Sequence, residues 1–192
     1  MKTYQVILTD PPWGYYGSTD GMGDVGKEYK TMSEQELLDY RYPLDKKGIL
    51  FMWTTGPKLE FSLNCIRAHG LHYRGVAFVW VKTKKDGVTP VGAVGVRPSI
   101  VKPLAEFVIS ASYVEKGRPM PLHAENIGQF VLSPHVRFIG GRHSQKPDAV
   151  QERIERMYPD ATKAEFFARR YRVGWDCFGD ELGKLGNGGG TT

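Results

Sequence analysis

Short apolar runs with few polar interruptions alternate with helical patterns along this chain of 192 residues. A strand that is apolar at nearly every position is buried on both faces, as in parallel sheets covered by helices. The runs that predict strands span residues 5–10, 48–55, 75–81, 104–112, 164–168 and 173–178. Helical patterns follow Ser33, Pro57 and Pro147. The alternation predicts an α/β fold with a mostly parallel, doubly wound sheet.

Composition favours a single folded domain. Hydrophobic residues make up 41% and charged residues 24%, which excludes a largely disordered chain. We expect one domain over residues 1–183, followed by a flexible glycine-rich tail at 184–192. No apolar run approaches the roughly 20 residues of a membrane helix, so no membrane partner is expected. The start of the chain does not resemble a signal peptide, and Cys65 and Cys177 lie far apart, which favours a reducing, cytoplasmic setting.

The balance of charge is mildly basic, with 26 lysines and arginines against 21 acidic residues. The resulting net charge of +5 suits a polyanionic partner such as nucleic acid, although many other enzymes carry a similar charge. The five histidines show no metal-ligand spacing, so no metal is expected.

The first predicted strand ends in Asp10-Pro11-Pro12-Trp13. Ligands of open parallel sheets bind at the carboxyl ends of strands, so this tetrapeptide stands where a site is expected. The two prolines remove two backbone donors and fix two φ angles. The alternative is a simple turn with a core tryptophan. By average residue usage, however, this tetrapeptide arises by chance roughly once in several thousand chains of this length.

The chemistry of this turn suits an amino group. An aspartate oxygen and a proline carbonyl are both acceptors, and together they can hold both hydrogens of an exocyclic amine. The amine lone pair then points towards an electrophile, while a nearby aromatic ring can stack on the base. Positioning and electrostatics would supply most of the catalysis. The amine is out of reach inside a duplex, so the base must be single-stranded or flipped out.

The tetrapeptide is also the signature of amino-group methyltransferases that use S-adenosylmethionine, and the chain resembles the MT-A70 family of adenine N6-methyltransferases. The resemblance extends from about residue 5 to residue 182. Further matching segments occur in the family's order at residues 27–33, 51–53, 80–83, 143–148, 154–156, 165–169 and 174–179. It implies a Rossmann-like class I methyltransferase fold in permuted order, with the catalytic strand first and the cofactor strands last. The implied cofactor is S-adenosylmethionine.

The resemblance assigns catalytic roles within the tetrapeptide. Asp10 and the backbone of Pro11 would hold the target amine, Pro12 would keep the loop rigid, and Trp13 would flank the base. Asp10 would also lie near the methionine end of the cofactor.

Four further residues are implied to bind the cofactor. Lys146 stands at a helix start and would bind the cofactor carboxylate, and Arg169 would lie at its ribose. Asp180 and Glu181 follow the last strand, where acidic residues commonly bind ribose hydroxyls. Members that act on messenger RNA carry amides at the last two positions, and a His-Asn pair where this chain has Arg170-Tyr171-Arg172. We therefore assign no ribose contact to Tyr171 or Arg172.

Substrate contacts are expected from Trp13, from Tyr29 in the family's first active-site loop, and from a basic stripe that includes Lys82 and Arg97. Surface lysines without a specific partner are the alternative for the stripe. Trp53 and Trp80 lie in apolar strands and are expected in the core, although Trp80 could approach the base pocket.

These features predict an enzyme that methylates the N6 amine of adenine in nucleic acid. The small core without a large insertion favours a site-specific DNA adenine methyltransferase in a bacterial or phage-like setting. An RNA adenine methyltransferase and a catalytically silent, nucleic-acid-binding partner subunit are the alternatives. A lone core offers little surface to grip a duplex, so a homodimer or heterodimer stays open.

Overall fold

The computed structural model describes residues 2–14, 31–92, 100–135, 145–180 and 182. Within these ranges the chain forms seven strands and three α-helices. In chain order they are β1 (Tyr4–Thr9), α1 (Glu34–Asp39), β2 (Leu44–Thr54), α2 (Leu59–Ala68), β3 (His72–Thr83), β4 (Ala105–Ser112), β5 (Phe130–Pro134), α3 (Asp148–Met157), β6 (Lys163–Phe166) and β7 (Asp176–Phe178). A short 3-10 turn, Gly56–Lys58, leads into α2.

The seven strands form one mixed sheet in the order β5-β3-β4-β2-β1-β6-β7. Strand β4 is antiparallel to β2 and β3, whereas all other neighbouring pairs are parallel. The prediction of a mostly parallel sheet is therefore confirmed, since six strands run in one direction and β4 runs against them. Apolar content reports burial and not direction, so residues 104–112 gave no sign of the reversal.

Helices cover both faces of the sheet, because successive side chains of a strand point to opposite faces. Ile7 and Met52 lie in one buried cluster, together with Ile66 of α2. Leu8 lies in a second buried cluster, together with Ile154 of α3. This two-sided burial explains why the central strands are apolar at almost every position.

Local signals in the sequence set the helix ends. Ser33 caps α1: its hydroxyl accepts a hydrogen bond from the Glu36 N–H, and the Glu36 carboxylate accepts one from the Ser33 N–H at 2.7 Å. The chain leaves α2 through Gly70, whose φ of 69° lies in the left-handed region that favours glycine. Both signals were correctly interpreted from sequence.

The strand directions bring several loops to one edge of the sheet. Strands β1, β2, β3, β6 and β7 all end at this edge, and the reversed β4 begins there. The tetrapeptide that begins at Asp10 therefore lies near the start of β4 and the segment after β6. The boundary expected at residue 183 lies outside the described residues, as does the tail at 184–192. Among the described helices, none is long and apolar enough to cross a membrane.

Candidate active site

A row of alternating charges lies at the carboxyl edge of the sheet. The Lys146 ammonium lies 3.2 Å from a carboxylate oxygen of Asp10 and 2.8 Å from one of Glu106. The other Glu106 oxygen lies 2.5 Å from the Lys82 ammonium. The four side chains come from the β1 tip, the start of β4, the end of β3 and the segment before α3. We call them the charged row.

Burial makes the charged row energetically significant, since its four side chains are at most 18% exposed. Burial raises the pKa of Asp10, although Lys146 and Arg169 oppose the rise. Burial would raise the pKa of Glu106 too, but Lys146 and Lys82 outweigh it and hold that pKa at about 2. Glu106 is therefore the firmly ionised partner of both lysines.

Two buried tryptophans form one wall beside the charged row. The Lys146 ammonium lies 5.4 Å from the Trp53 ring centroid, and the Lys82 ammonium lies 5.1 Å from that of Trp80. Each distance suits a cation–π contact. Both rings are buried and meet edge to face, which confirms that they belong to the core. The two rings stabilise the ammonium groups of the lysines. Because the rings are uncharged, they leave the charges of the carboxylates unchanged.

The prolines after Asp10 build a tight turn whose carbonyls are partly occupied. The Trp13 N–H donates to the Pro11 carbonyl at 2.8 Å, and the Met32 N–H donates to the Pro12 carbonyl at 3.2 Å. A carbonyl oxygen has two lone pairs, so the Pro11 carbonyl keeps one for a ligand.

Trp13 lies in the core of the structure. Its side chain is 6% exposed and packs edge-on against Phe61 of α2. Little of the side chain is exposed in this arrangement, and the expected stacking on a base stays a prediction. The burial agrees with the alternative interpretation of this tryptophan as a core residue.

Buried polar atoms without a partner gather at the same edge of the sheet. In the described ranges four buried side-chain atoms lack a hydrogen-bond partner: His69 Nδ1, after α2, and three atoms at this edge, the Trp13 Nε1, the Thr55 hydroxyl and the Thr83 hydroxyl. These three follow β1, follow β2 and end β3, respectively. Buried polar groups normally find partners, so three such atoms at strand ends of one sheet edge agree with a ligand site there.

Arg169 approaches Asp10 from the segment after β6. One of its guanidinium nitrogens lies 4.0 Å from the second carboxylate oxygen of Asp10. The chain reaches it through Phe167, whose φ of 58° is rare for a bulky residue. Gly179 is required beside this segment, because a Cβ there would lie 2.2 Å from the Ala168 carbonyl oxygen. The segments after β6 and β7 are therefore packed backbone against backbone.

Two arginines fasten the segment after β6 to α3. Arg172 binds both carboxylate oxygens of Glu155, at 2.6 and 2.9 Å, and also pairs with Asp148. Arg170 pairs with Asp148 as well, and the Trp175 indole N–H donates to Glu155 at 2.7 Å. We call these contacts the arginine clamp. They occupy Arg170 and Arg172 with protein carboxylates, in agreement with assigning no ribose contact to Arg172.

The other expected site residues have different positions. Asp180 is exposed after β7, two strands away from β1, at the same edge of the sheet. Lys82 pairs with Glu106 and does not project as an exposed phosphate contact. Tyr29, Arg97 and Glu181 lie outside the described residues.

Glu106 is the site residue that the sequence interpretation missed. It is an isolated carboxylate in the apolar strand that residues 105–112 form. Burying an unpaired carboxylate is energetically costly. A lone glutamate in an apolar strand was therefore the sequence signal for a charged partner. In the described parts of the chain, no cluster of three His, Cys, Asp or Glu side chains could hold a metal ion.

Comparison with known proteins identifies the family. The MT-A70 family model matches residues 4–181. The type II methyltransferase M.MunI of Mycoplasma sp. is 35% identical over 201 residues, which cover 94% of this chain and 78% of M.MunI.

Eukaryotic relatives match over nearly all of this chain but over only part of their own length. An Arabidopsis thaliana N(6)-adenosine-methyltransferase MT-A70-like protein is 30% identical over 95% of this chain and 24% of its own. The human N(6)-adenosine-methyltransferase catalytic subunit METTL3 is 28% identical over 95% of this chain and 29% of its own. The family match covers every strand and helix described above. The chain therefore belongs to the MT-A70 family of S-adenosylmethionine-dependent adenine methyltransferases, which implies a class I methyltransferase fold.

Proposed function

We propose that this protein transfers a methyl group from S-adenosylmethionine to the N6 amine of adenine in DNA. The observation that carries the proposal is the partly buried Asp10 carboxylate, which is flanked by Lys146 and Arg169 and continues into Pro11. The permuted order belongs to this proposal: β1 would be the catalytic strand, and β6 and β7 the cofactor strands.

The donor set fits the amino-acid end of S-adenosylmethionine. This end is a zwitterion, with one carboxylate and one ammonium group. Lys146 would hold the carboxylate, and Asp10 would lie beside the ammonium. The ion pair of the protein would thus face the two opposite charges of the cofactor's amino-acid end. Arg169 and Asp180 would serve the ribose. When bound, the cofactor supplies an electrophilic methyl group on a sulfonium.

The chain's own residues would orient the attacking amine. The Asp10 carboxylate would accept one amine hydrogen, and the free lone pair of the Pro11 carbonyl would accept the other. The backbone that carries both acceptors is fixed, because the Asp10 N–H donates to the Phe166 carbonyl at 3.4 Å and the Trp13 N–H donates to the Pro11 carbonyl. Prearranged acceptors need little reorganisation during the reaction, which favours catalysis by positioning.

Support for DNA over RNA comes from the extent of the matches. M.MunI, named as a type II methyltransferase, is matched over 78% of its length. The relatives named for adenosine, the ribonucleoside, are matched over 24% and 29% of theirs. We therefore place this chain nearer to the M.MunI kind of enzyme. Tyr29, Trp13 and Arg97 stay proposed contacts to the substrate.

The test is an assay with methyl-labelled S-adenosylmethionine on duplex DNA, single-stranded DNA and RNA of one sequence. Digestion to nucleosides then identifies the labelled product. The proposal requires 6-methyladenine in at least one DNA substrate, at a rate above that on RNA. A higher rate on RNA would support the RNA adenine methyltransferase instead.

The silent-subunit alternative has a separate test. Calorimetry with S-adenosylmethionine should show one site per chain if the protein is a catalyst. An enzyme-like affinity together with labelled DNA excludes a silent subunit, whereas no binding and no labelling would support it.

A further inference from the structure

A second carboxyl group lies on the same sheet face as Asp10 and takes no part in the chemistry described above. Glu165 of β6 is the direct cross-strand partner of Leu8 in β1. Side chains alternate between faces along a strand, so Leu8, Asp10 and Glu165 share the face that α3 covers. The Asp10 charge contributes to raising the pKa of Glu165, so the two groups lie within electrostatic reach. We call Asp10 and Glu165 the carboxyl pair.

Glu165 has an amide partner but no cationic one. Its carboxyl accepts a hydrogen bond from the Gln151 amide of α3 at 2.6 Å, and no described lysine, arginine or histidine forms an ion pair with it. Arg170 and Arg172 lower its pKa from a distance, but the arginine clamp commits both to other carboxylates. Burial, with the smaller effect of Asp10, outweighs them and raises the pKa of Glu165 to about 7. Glu165 therefore keeps its proton below neutral pH.

The other groups around Glu165 do not change their charge in the same range. Burial raises the pKa of the Cys177 thiol on β7, and Arg172 and Trp175 lower that of Glu155 on α3. The thiol therefore stays neutral, while the arginines and Glu155 stay charged. The described charged and titratable groups around Glu165 are Asp10 from β1, Cys177 from β7, Asp148 and Glu155 from α3, and Arg170 and Arg172 from the segment after β6.

The carboxyl pair suits a ligand group that carries one positive charge. Lys146 is shared between Asp10 and Glu106, so Asp10 needs another cation once Lys146 binds the cofactor carboxylate as proposed above. The ammonium group of the cofactor supplies that charge, and its three N–H donors are enough for two carboxylates. A cation beside a carboxyl group also favours the ionised form of that group.

We propose that Glu165 binds the ammonium group of S-adenosylmethionine together with Asp10 and gives up its proton when the cofactor binds. The proton passes from the Glu165 carboxyl to the solvent, and the carboxylate that remains pairs with the ammonium group. This inference rests on the cofactor placement in the proposed function and adds Glu165 to it.

The test counts the protons released on binding, by calorimetry with S-adenosylmethionine in two buffers of different ionisation enthalpy. With a folded-state pKa of about 7, the wild-type protein should release about one proton at pH 5.5 and about half a proton at pH 7. The dissociation constant should fall roughly tenfold between these pH values. Both lie below the usual pKa of an α-amino group, roughly 7.7–8, so the cofactor keeps its ammonium charge.

Three variants assign the released proton to Glu165. Glu165→Gln should release none and bind with an affinity that does not change with pH. Glu152→Gln, on the exposed side of α3, is the matched control and should behave as the wild-type protein. Gln151→Met keeps Glu165 but removes the hydrogen bond that favours its ionised form, so release at pH 7 should rise towards one proton. This variant carries the test if Glu165→Gln does not fold.

Two cofactor analogues identify the group that Glu165 meets. S-adenosylhomocysteine lacks the sulfonium charge and should release as many protons as S-adenosylmethionine. Its analogue with hydrogen in place of the ammonium group should bind more weakly and release none. Release by S-adenosylmethionine alone would assign the effect to the sulfonium and overturn the proposal. Release by the analogue without the ammonium group, undiminished release in Glu165→Gln, or no release by the wild-type protein would also overturn it.

The outcome for this inference is separable from that for the proposed function. Formation of 6-methyladenine in DNA without proton release on cofactor binding would remove the role of Glu165 and leave the proposed function intact. Proton release that depends on Glu165, without methylation of any DNA, would count against the proposed function alone.

Discussion

The ammonium group of Lys146 lies 3.2 Å from the carboxylate of Asp10. The same ammonium is shared with Glu106, whose pKa is held at about 2 by Lys146 and Lys82 against the effect of burial. Because Glu106 stays ionised, it holds Lys146 at the tip of β1 even when Asp10 binds another partner in place of Lys146. This geometry leads to the first two predictions.

Replacing Lys146 with methionine should weaken the binding of S-adenosylmethionine. The variant keeps most of the aliphatic length and removes the charge that would hold the cofactor carboxylate. A hydrogen bond to a charged group is worth roughly 1.5–3 kcal/mol, so the dissociation constant should rise about 10- to 100-fold. Calorimetry measures it. Lys85→Met, in the exposed loop after β3, is the control and should bind normally. Equal affinities in both variants would remove Lys146 from the cofactor site.

Replacing Glu106 with glutamine should destabilise the fold. Two largely buried ammonium groups would lose their shared carboxylate, and such a loss costs on the order of 3 kcal/mol. Urea denaturation measures the free energy of unfolding. Because the folded-state pKa of Glu106 is depressed, its contribution is present above the unfolded-state pKa and disappears as pH falls towards 2.

A double-mutant cycle separates this pairing from simple loss of packing. Lys82→Met combined with Glu106→Gln should cost less than the sum of the two single changes, because each removes the same contact. The exposed pair of Arg118 and Glu125 is the control, and Glu125→Gln should have little effect. Strict additivity at Lys82 and Glu106 would show that their contact contributes nothing to stability.

The carboxyl group of Glu165 should make stability fall between pH 5 and pH 8. Burial, with a smaller contribution from Asp10, raises its pKa to about 7, although Gln151 donates a hydrogen bond to it at 2.6 Å. A carboxyl group whose folded-state pKa is raised contributes to stability below its unfolded-state pKa. This contribution is lost as pH rises through the folded-state pKa of about 7. Melting temperatures across this range measure the effect. Glu165→Gln should flatten the profile; an unchanged slope would locate the titrating group elsewhere.

The arginine clamp should link the fold to cofactor affinity. Arg172→Ala removes the two contacts to Glu155 and the one to Asp148, and so should loosen the segment that carries Arg169. We expect a lower melting temperature and a several-fold weaker cofactor affinity. Arg156→Ala on the exposed side of α3 is the matched control. A normal affinity in a destabilised Arg172→Ala would restrict the clamp to a structural role.

The fold was predictable where burial and capping determine it. The buried strands and the three helices carry their own signals, such as the capping box at Ser33 and the left-handed Gly70. Strand β5 was missed because it is a five-residue edge strand that is buried fully only at Val131 and ends in a proline. The direction of β4 depends on its pairing with β2 and β3. An apolar run does not encode which strands it pairs with.

The site was predictable as far as its chemistry is contiguous in sequence. The turn at Asp10 is four adjacent residues, and its position at a strand end follows from the fold class. The pairing of Lys146 and Lys82 with Glu106 joins residues from three separate segments, so it required the tertiary structure. Trp13 shows the opposite case, since its type suggested stacking on a base but its surroundings bury it against Phe61.

The measurement that tests the account most directly compares the wild-type protein with Asp10→Asn. Formation of 6-methyladenine in DNA is followed at saturating labelled S-adenosylmethionine, together with the melting temperature. Asparagine keeps the shape of the side chain but replaces one acceptor oxygen with a donor, so it cannot hold the amine in the same way. We predict that the wild-type protein forms 6-methyladenine and that the folded variant is slower by at least a hundredfold. A folded Asp10→Asn variant that methylates adenine at the wild-type rate would contradict the account.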